Sequence, residues 1–284
     1  MLVHIMAVRA RLASLHVAEW VCGEWILFYA TEFFMSAADS PHLFYRRVIF
    51  EVEPGLCRVA MEDEHHRFEL AVGHDGEQIT SVHSQAKRTP WSVCPQAERK
   101  LQAFVGQPLR QRISSRLSGI DAKQQCTHQY DLLTVALAQA LSPGRREYVS
   151  RVRGAMHEYR HAELFLDGRQ LLDWRLRGTR IDSQDVFDQR DLRDLMGWAE
   201  AELDDPTLEA LYVQRRAVMV AASKGYNLDL VPNAGVAMRA RAGACFVFQP
   251  ERADQALRMR GSTRDDVQQA ADLLSDWGIP LVNL

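Results

Sequence analysis

FYRRVIFEVEPGLCRVAMEDEHHRFELAVGHDGEQITSVHSQAK, residues 44–87, decides the fold class. Apolar and polar residues alternate through FYRRVIFEVEP, LCRVAMEDE and RFELAV, the period of a half-buried strand. EQITSVHSQAK follows Asp75-Gly76, a two-residue hairpin signal. The stretch therefore predicts an antiparallel meander, which Pro90 and Trp91 end. VCPQAERKLQAFVG then reads as a short amphipathic helix with Val93, Ala97, Leu101 and Phe104 on one face and Gly106 as its stop. CTHQYDLLTVALAQAL reads as a longer one, striped by Leu133, Leu137 and Leu141 and ended by Pro143-Gly144.

The second half repeats the order of strands before helices. EYVSRVRG and the hairpin AELFL, Asp167-Gly168, RQLLDWRL precede helical periodicity in DLRDLMGWAEAEL and in TLEALYVQRRAVMVAAS, which Pro206 opens. A last helix is expected after Ser262 and Asp265, spaced as a capping box. Strands segregate from helices, so the fold class is α+β, a meander with helices packed on it and a second, smaller strand-plus-helix region. The expected divisions are 1–34 as an upstream extension or poorly defined segment, 35–143 as a first α+β domain and 144–284 as a second α+β region.

Composition narrows the function classes. The 284 residues are 47% hydrophobic and 25% charged with a formal net charge of −3, which excludes a disordered or collagen-like chain. No global basic field is present to drive nucleic-acid or anionic-membrane binding, so neither partner is expected. The apolar first 34 residues carry Arg9, Arg11, Glu19, Glu24 and Glu32, and no run approaches the roughly 18 uncharged residues of a spanning helix. Five widely spaced cysteines, Cys22, Cys57, Cys94, Cys126 and Cys245, with no export signal, fit reduced thiols in the cytoplasm.

No phosphate loop, dinucleotide fingerprint, nucleophile elbow or paired-histidine zinc motif occurs. Soft and imidazole ligands instead gather in the first half: Asp63, His65, His66, Cys94, Cys126 and His128. Cys94 before Pro95 and Cys126 before the second helix both fall at helix starts, where unpaired N–H groups and the dipole favour a thiolate. Residues two apart in a helix point about 200° from each other, so Cys126 and His128 can share a ligand only if Cys126 lies outside the helix, with Thr127 as its cap. Alternation through EDEHH sends Asp63 and His65 to one strand face and Glu64 and His66 to the other. Cys57 and Cys245 read as apolar strand core, His74 and His83 as surface, and Trp91 and Trp174 as core anchors. Arg252, Arg258, Arg260 and Arg264 form either an anion-binding cluster or a solvated helix face.

RRVIFEVEPG, EDEHHRFELAVGHDG, TPWSVCPQA, VGQPL, CTHQYDL, QRRAVMVA and CFVFQPERADQALRMRGSTRD together resemble the bacterial family catalogued as domain of unknown function 2889, from about Arg46 to Asp265. More distantly, the order of Asp75-Gly76 hairpin, Cys94 at a helix start, Val105-Gly106 and Cys126/His128 opening a striped helix is similar to the NifU and IscU iron–sulfur scaffold fold. That resemblance implies Cys94 and Cys126 as cluster or zinc ligands, with His128 in place of the scaffold histidine. The scaffold has adjacent His-Cys where this chain has Cys126-Thr127-His128, and its first cysteine falls at Asp63 to His66. A mixed N/O/S set of this kind suits stably bound zinc or iron.

Three functions follow as expectations. The first is a cytoplasmic metal-binding protein using Cys94, Cys126 and His128, completed by His65 or Asp63. The second is a thiol-dependent enzyme with Cys126 or Cys94 as nucleophile and His128 or His65 as base. The third is an interaction module whose arginine-rich C-terminal segment binds an anionic partner.

Overall fold

Alternation in the quoted stretch becomes four antiparallel strands, β1 (Leu43–Glu53), β2 (Leu56–Asp63), β3 (Arg67–His74) and β4 (Ile79–Arg88). The computed structural model describes residues 42–109, 119–155, 158–224, 226–237 and 243–277, so the expected extension over 1–34 lies outside the described residues. Four further strands follow: β5 (Gly144–Arg153), β6 (Tyr159–Leu166), β7 (Arg169–Arg177) and β8 (Arg180–Asp182). The β6–β7 turn carries Asp167 and Gly168 at φ 49° and 80°, the doubly left-handed turn that matches strand twist.

All eight strands form one antiparallel sheet in the order β4-β3-β2-β1-β5-β6-β7-β8. Two meanders run outward from a central pair. β5 pairs with β1 along ten residues, from Leu43 opposite Arg153 to Val52 opposite Gly144. The chain passes Pro143-Gly144, the expected boundary, directly into a strand at the middle of the sheet, so the two expected regions share one sheet. Mixed helices and strands with wholly antiparallel pairing make the class α+β.

Helices α1 (Thr127–Gln139), α2 (Met196–Glu202) and α3 (Asp205–Ala221) follow the strands of each half. α1 lies over β2 and β3, α3 over β1, β5 and β6, and the two helices meet each other. Leu133, Val135 and Leu137 from α1 and Leu208, Leu211 and Val218 from α3 close the core on Val48, Phe50, Phe68 and Trp174. Asp204 caps α3 by accepting the Thr207 N–H, and the following Asp205-Pro206 suits the first turn. On the opposite sheet face, Ile49 and Ala60 are covered by Leu274 and Trp277 of the C-terminal segment.

Several local readings change. The amphipathic run after Trp91 is a 3₁₀ segment, Cys94–Phe104, although it buries Ala97, Leu101 and Phe104 as expected. α1 stops at Gln139, leaving Leu141 exposed. Cys245 precedes a 3₁₀ turn and is not in a strand. His74 is buried, whereas His83 is exposed. No long helix follows Ser262, because the Arg264 N–H is taken by the Glu64 carbonyl (2.8 Å) and the next helical turn is the 3₁₀ segment Ala270–Asp272. Among the described residues no helix is long and apolar enough to cross a membrane.

Candidate metal centre

β2 ends at Asp63, and Asp63 itself makes the turn that follows. Its backbone N–H donates to the His66 carbonyl (2.9 Å), and its Oδ1 accepts the backbone N–H groups of His65 and His66, both at 2.8 Å. Strand alternation therefore stops at this residue. The side chains of Asp63 and His66, expected on opposite faces, meet instead, with His66 Nδ1 3.1 Å from Asp63 Oδ1. Asp63 Oδ2 accepts from Arg46 Nε (3.0 Å) and Nη2 (2.5 Å), since Arg46 is its register partner on β1. Arg46 and Asp63 are 2% and 0% exposed, so this is a fully desolvated ion pair.

The third member comes from α1. Cys126, with extended ψ of 118°, is the helix N-cap, so Thr127 is the first helical residue and not the cap. His128 at the second helical position extends over β2 and β3, its ring centroid 4.1 Å from His66 and 5.7 Å from Phe68. A carboxylate oxygen of Asp63 and one ring nitrogen each of His66 and His128 lie within 4.8 Å of one another. Among the described residues no other trio of His, Cys, Asp or Glu converges in this way. His128 Nε2 is buried with no hydrogen-bond partner among the described residues.

Electrostatics set the protonation states. Burial raises the Asp63 carboxyl, but His66 and Arg46 beside it outweigh burial and hold it well below the usual carboxylate range. Burial, reinforced by His66, Arg46 and Arg216, pushes His128 well below an ordinary histidine. The corner thus presents an ionised carboxylate and a neutral imidazole, the forms that ligate metals.

The remaining expected residues go elsewhere. His65 faces the C-terminal segment, its Nδ1 3.5 Å from Thr263 Oγ1, and burial drives its pKa down to about 3. Cys94 packs in a small cluster with Trp91, Val247 and Cys245, close enough to Cys126 and Cys245 that both add to the rise of its pKa. Cys126 belongs to the main core. Burial raises both thiols, Cys126 to about 12, and outweighs the N–H groups of Gln129 and His128 at the start of α1 that favour its thiolate. The helix-start argument for reactive thiolates is overturned by desolvation. Neither cysteine joins the converging trio, which instead includes His66.

The same turn is knit to distant segments by buried charges. Glu62 accepts from Arg88 Nη2 (2.9 Å), Arg264 Nη1 (3.1 Å) and the Leu274 N–H (2.7 Å). Glu64 pairs with Lys224 at 2.6 Å; burial, partly offset by Lys224, raises its carboxyl to about 7. Three of the four C-terminal arginines are used internally. Arg252 lies over the Phe246 ring, Arg258 pairs with Asp229, and Arg264 bonds Glu62 and Asp266, while Arg260 is exposed.

Beside the trio, a cleft opens where α1 and α3 diverge over β1 and β2. Arg46, His128, Asp131 and Arg216 are its polar lining, with Phe50 and Met61 among the apolar walls. Arg216 Nε bonds Asp131 Oδ2 at 2.6 Å.

Residues 51–141 match the model of a family described as protein of unknown function (DUF2889). The matched stretch is shorter than the Arg46–Asp265 resemblance, and it contains Asp63, His66, His128, Cys94 and Cys126. No curated protein matches the chain.

Proposed function

We propose that the protein binds a divalent first-row metal ion, zinc or iron, through Asp63, His66 and His128. The observation that carries this reading is the convergence of one buried carboxylate and two half-buried imidazoles within 4.8 Å, in which His128 Nε2 has no partner among the described residues. Burying an imidazole nitrogen without a hydrogen bond costs about 1–3 kcal/mol, a cost that a coordinate bond would remove. Metal bound between His66 Nδ1 and Asp63 Oδ1 displaces any proton held there, so binding releases protons and strengthens as pH rises. Arg46 holds the outer carboxylate oxygen and orients the inner one, the role an outer-shell partner has in metal sites.

The donor set separates this reading from an iron–sulfur scaffold. Clusters are held by thiolates, and neither Cys94 nor Cys126 belongs to the converging trio of Asp63, His66 and His128. Two histidines and one carboxylate suit zinc or non-haem iron and leave coordination positions open, as in centres that activate a small bound ligand. The raised thiols argue against a cysteine nucleophile, and the internal pairing of Arg252, Arg258 and Arg264 argues against an anionic docking segment.

The test is a cobalt(II) titration of the chelator-stripped full-length protein, read by visible d–d absorption. Bands are expected with the wild type, and loss of them in His128→Ala and in His66→Ala, with circular dichroism unchanged. Cys94→Ala, Cys126→Ala and His65→Gln are expected to retain the bands. Persistence of the wild-type spectrum in folded His128→Ala protein overturns the assignment.

A further inference from the structure

Resting on that reading, we infer that the cleft between α1 and α3 is the seat of the centre's exogenous ligand, and that the ligand is a small monoanion entering past Arg216. His128 belongs both to the trio and to the cleft wall, so the cleft adjoins the centre at that residue. Three protein ligands leave at least one coordination position for a molecule from solvent.

Charge selects its sign. Arg46 is neutralised by Asp63 and Arg216 by Asp131, so the lined cleft is balanced before metal enters. A divalent ion adds two positive charges to this balanced set. Val48, Phe50, Met61, Leu132 and Val135 give the cleft low-dielectric walls, where the added charge is poorly screened. An anion on the open position relieves that imbalance. Arg216, partly exposed beside Asp131, is the cation such an anion passes and then faces.

Volume selects its size. The cleft has free space of about 20 Å³, room for about one water molecule. A ligand one atom wide, with its first atom in this space and the rest toward the mouth, suits it, whereas an aromatic carboxylate does not.

Azide and benzoate are the probes, added to cobalt(II)-loaded full-length protein and followed by visible absorption. Azide is expected to shift the bands saturably, and benzoate to leave them unchanged. Arg216→Gln is expected to weaken azide by about tenfold, with Arg216→Lys recovering most of the loss as a control that the pair with Asp131 still folds. Val135→Ala, which widens the wall without removing charge, is expected to admit acetate where the wild type does not. Cobalt bands that ignore azide, or that respond equally to benzoate, overturn this inference and leave metal binding standing. Absence of cobalt bands from the wild type overturns metal binding and this inference with it.

Discussion

Replacing Asp63 by asparagine tests the centre of the arrangement. Asparagine keeps an acceptor for the His65 and His66 N–H groups, so the turn after β2 retains its two 2.8 Å bonds. What is lost is the charge facing Arg46, which is 2% exposed and donates twice to Asp63 Oδ2. An amide in that place either offers its NH₂ to the guanidinium, donor against donor, or turns and surrenders the turn bonds. Breaking one side of a buried ion pair costs about 3–5 kcal/mol. At about 2–4 °C per kcal/mol for a domain of this size, the melting temperature of Asp63→Asn should fall by about 6–20 °C. Arg46→Met is expected to cost less, because Asp63 keeps two backbone N–H donors, those of His65 and His66. The double variant removes both charges and should be more stable than the sum of the single effects, with a coupling of about 2 kcal/mol or more. Thermal unfolding of the metal-free protein by circular dichroism measures all three. A fall under about 3 °C for Asp63→Asn, or additivity in the double variant, refutes a desolvated pair.

Further outcomes follow from the same buried groups. In metal-free protein between about pH 4.5 and 6.5, unfolded His65 and His128 take up protons that the folded forms, with lowered pKa, refuse. Folded Glu64, raised to about 7, instead keeps a proton that the unfolded form has lost. The net uptake on unfolding is one proton, so stability should fall by about 1.4 kcal/mol per unit as pH is lowered. Urea midpoints at pH 6 and pH 5 check this, and Glu64→Gln should make the dependence steeper. Iodoacetamide should modify Cys94 and Cys126 slowly at neutral pH in the folded protein and readily in urea, because both thiols are buried and raised. Arg160, 2% exposed, donates to the carbonyls of Val218 in the last turn of α3 and of Gly178. Arg160→Ala should cost about 1–3 kcal/mol by removing the donor to the buried Val218 carbonyl and the half-buried Gly178 carbonyl, measurable by chemical unfolding. Leu133→Ala, at a fully buried position of α1, should cost about 2–5 kcal/mol in the same assay.

The strands were legible because alternation and turn chemistry are local. Asp75-Gly76 and Asp167-Gly168 mark hairpins with the residues that left-handed backbone favours, and both hairpins form. The pairing of β1 with β5 was not legible. It joins residues about one hundred apart, and the interior alternation of GRREYVSRVR is the same whether the strand starts a new sheet or enters the middle of an old one. Helix ends were read less well where packing overrode pattern. Leu141 continues the stripe of α1, but the chain has left the sheet by then and must turn into β5.

The convergence of Asp63, His66 and His128 was partly legible for a similar reason. Asp63 and His128 stood out by type, but His66 was assigned to the wrong face because the strand period was carried one turn too far. A signal for the correct reading exists elsewhere in the chain. Asp75 Oδ1 accepts the N–H groups of Glu77 and Gln78, two and three residues on, as Asp63 accepts those of His65 and His66. An aspartate at a strand end followed by polar residues is an Asx turn as readily as it is a continuing strand.

Burial explains why the cysteines misled. Position at a helix start fixes the direction of the dipole's effect on a thiol, while the fold fixes how far the thiol is desolvated, and here the second is larger. Asp63, at the end of β2, shows the opposite balance, and Glu62 beside it is buried too. Each is drawn out of water together with cations from β1, β4 and the C-terminal segment. Buried ion pairs of this kind seldom stabilise a fold more than apolar packing would. Their concentration at one turn is better accounted for by what they fix: a single rotamer of Asp63, with one oxygen held by Arg46 and the other against the His65 and His66 N–H groups and His66 Nδ1.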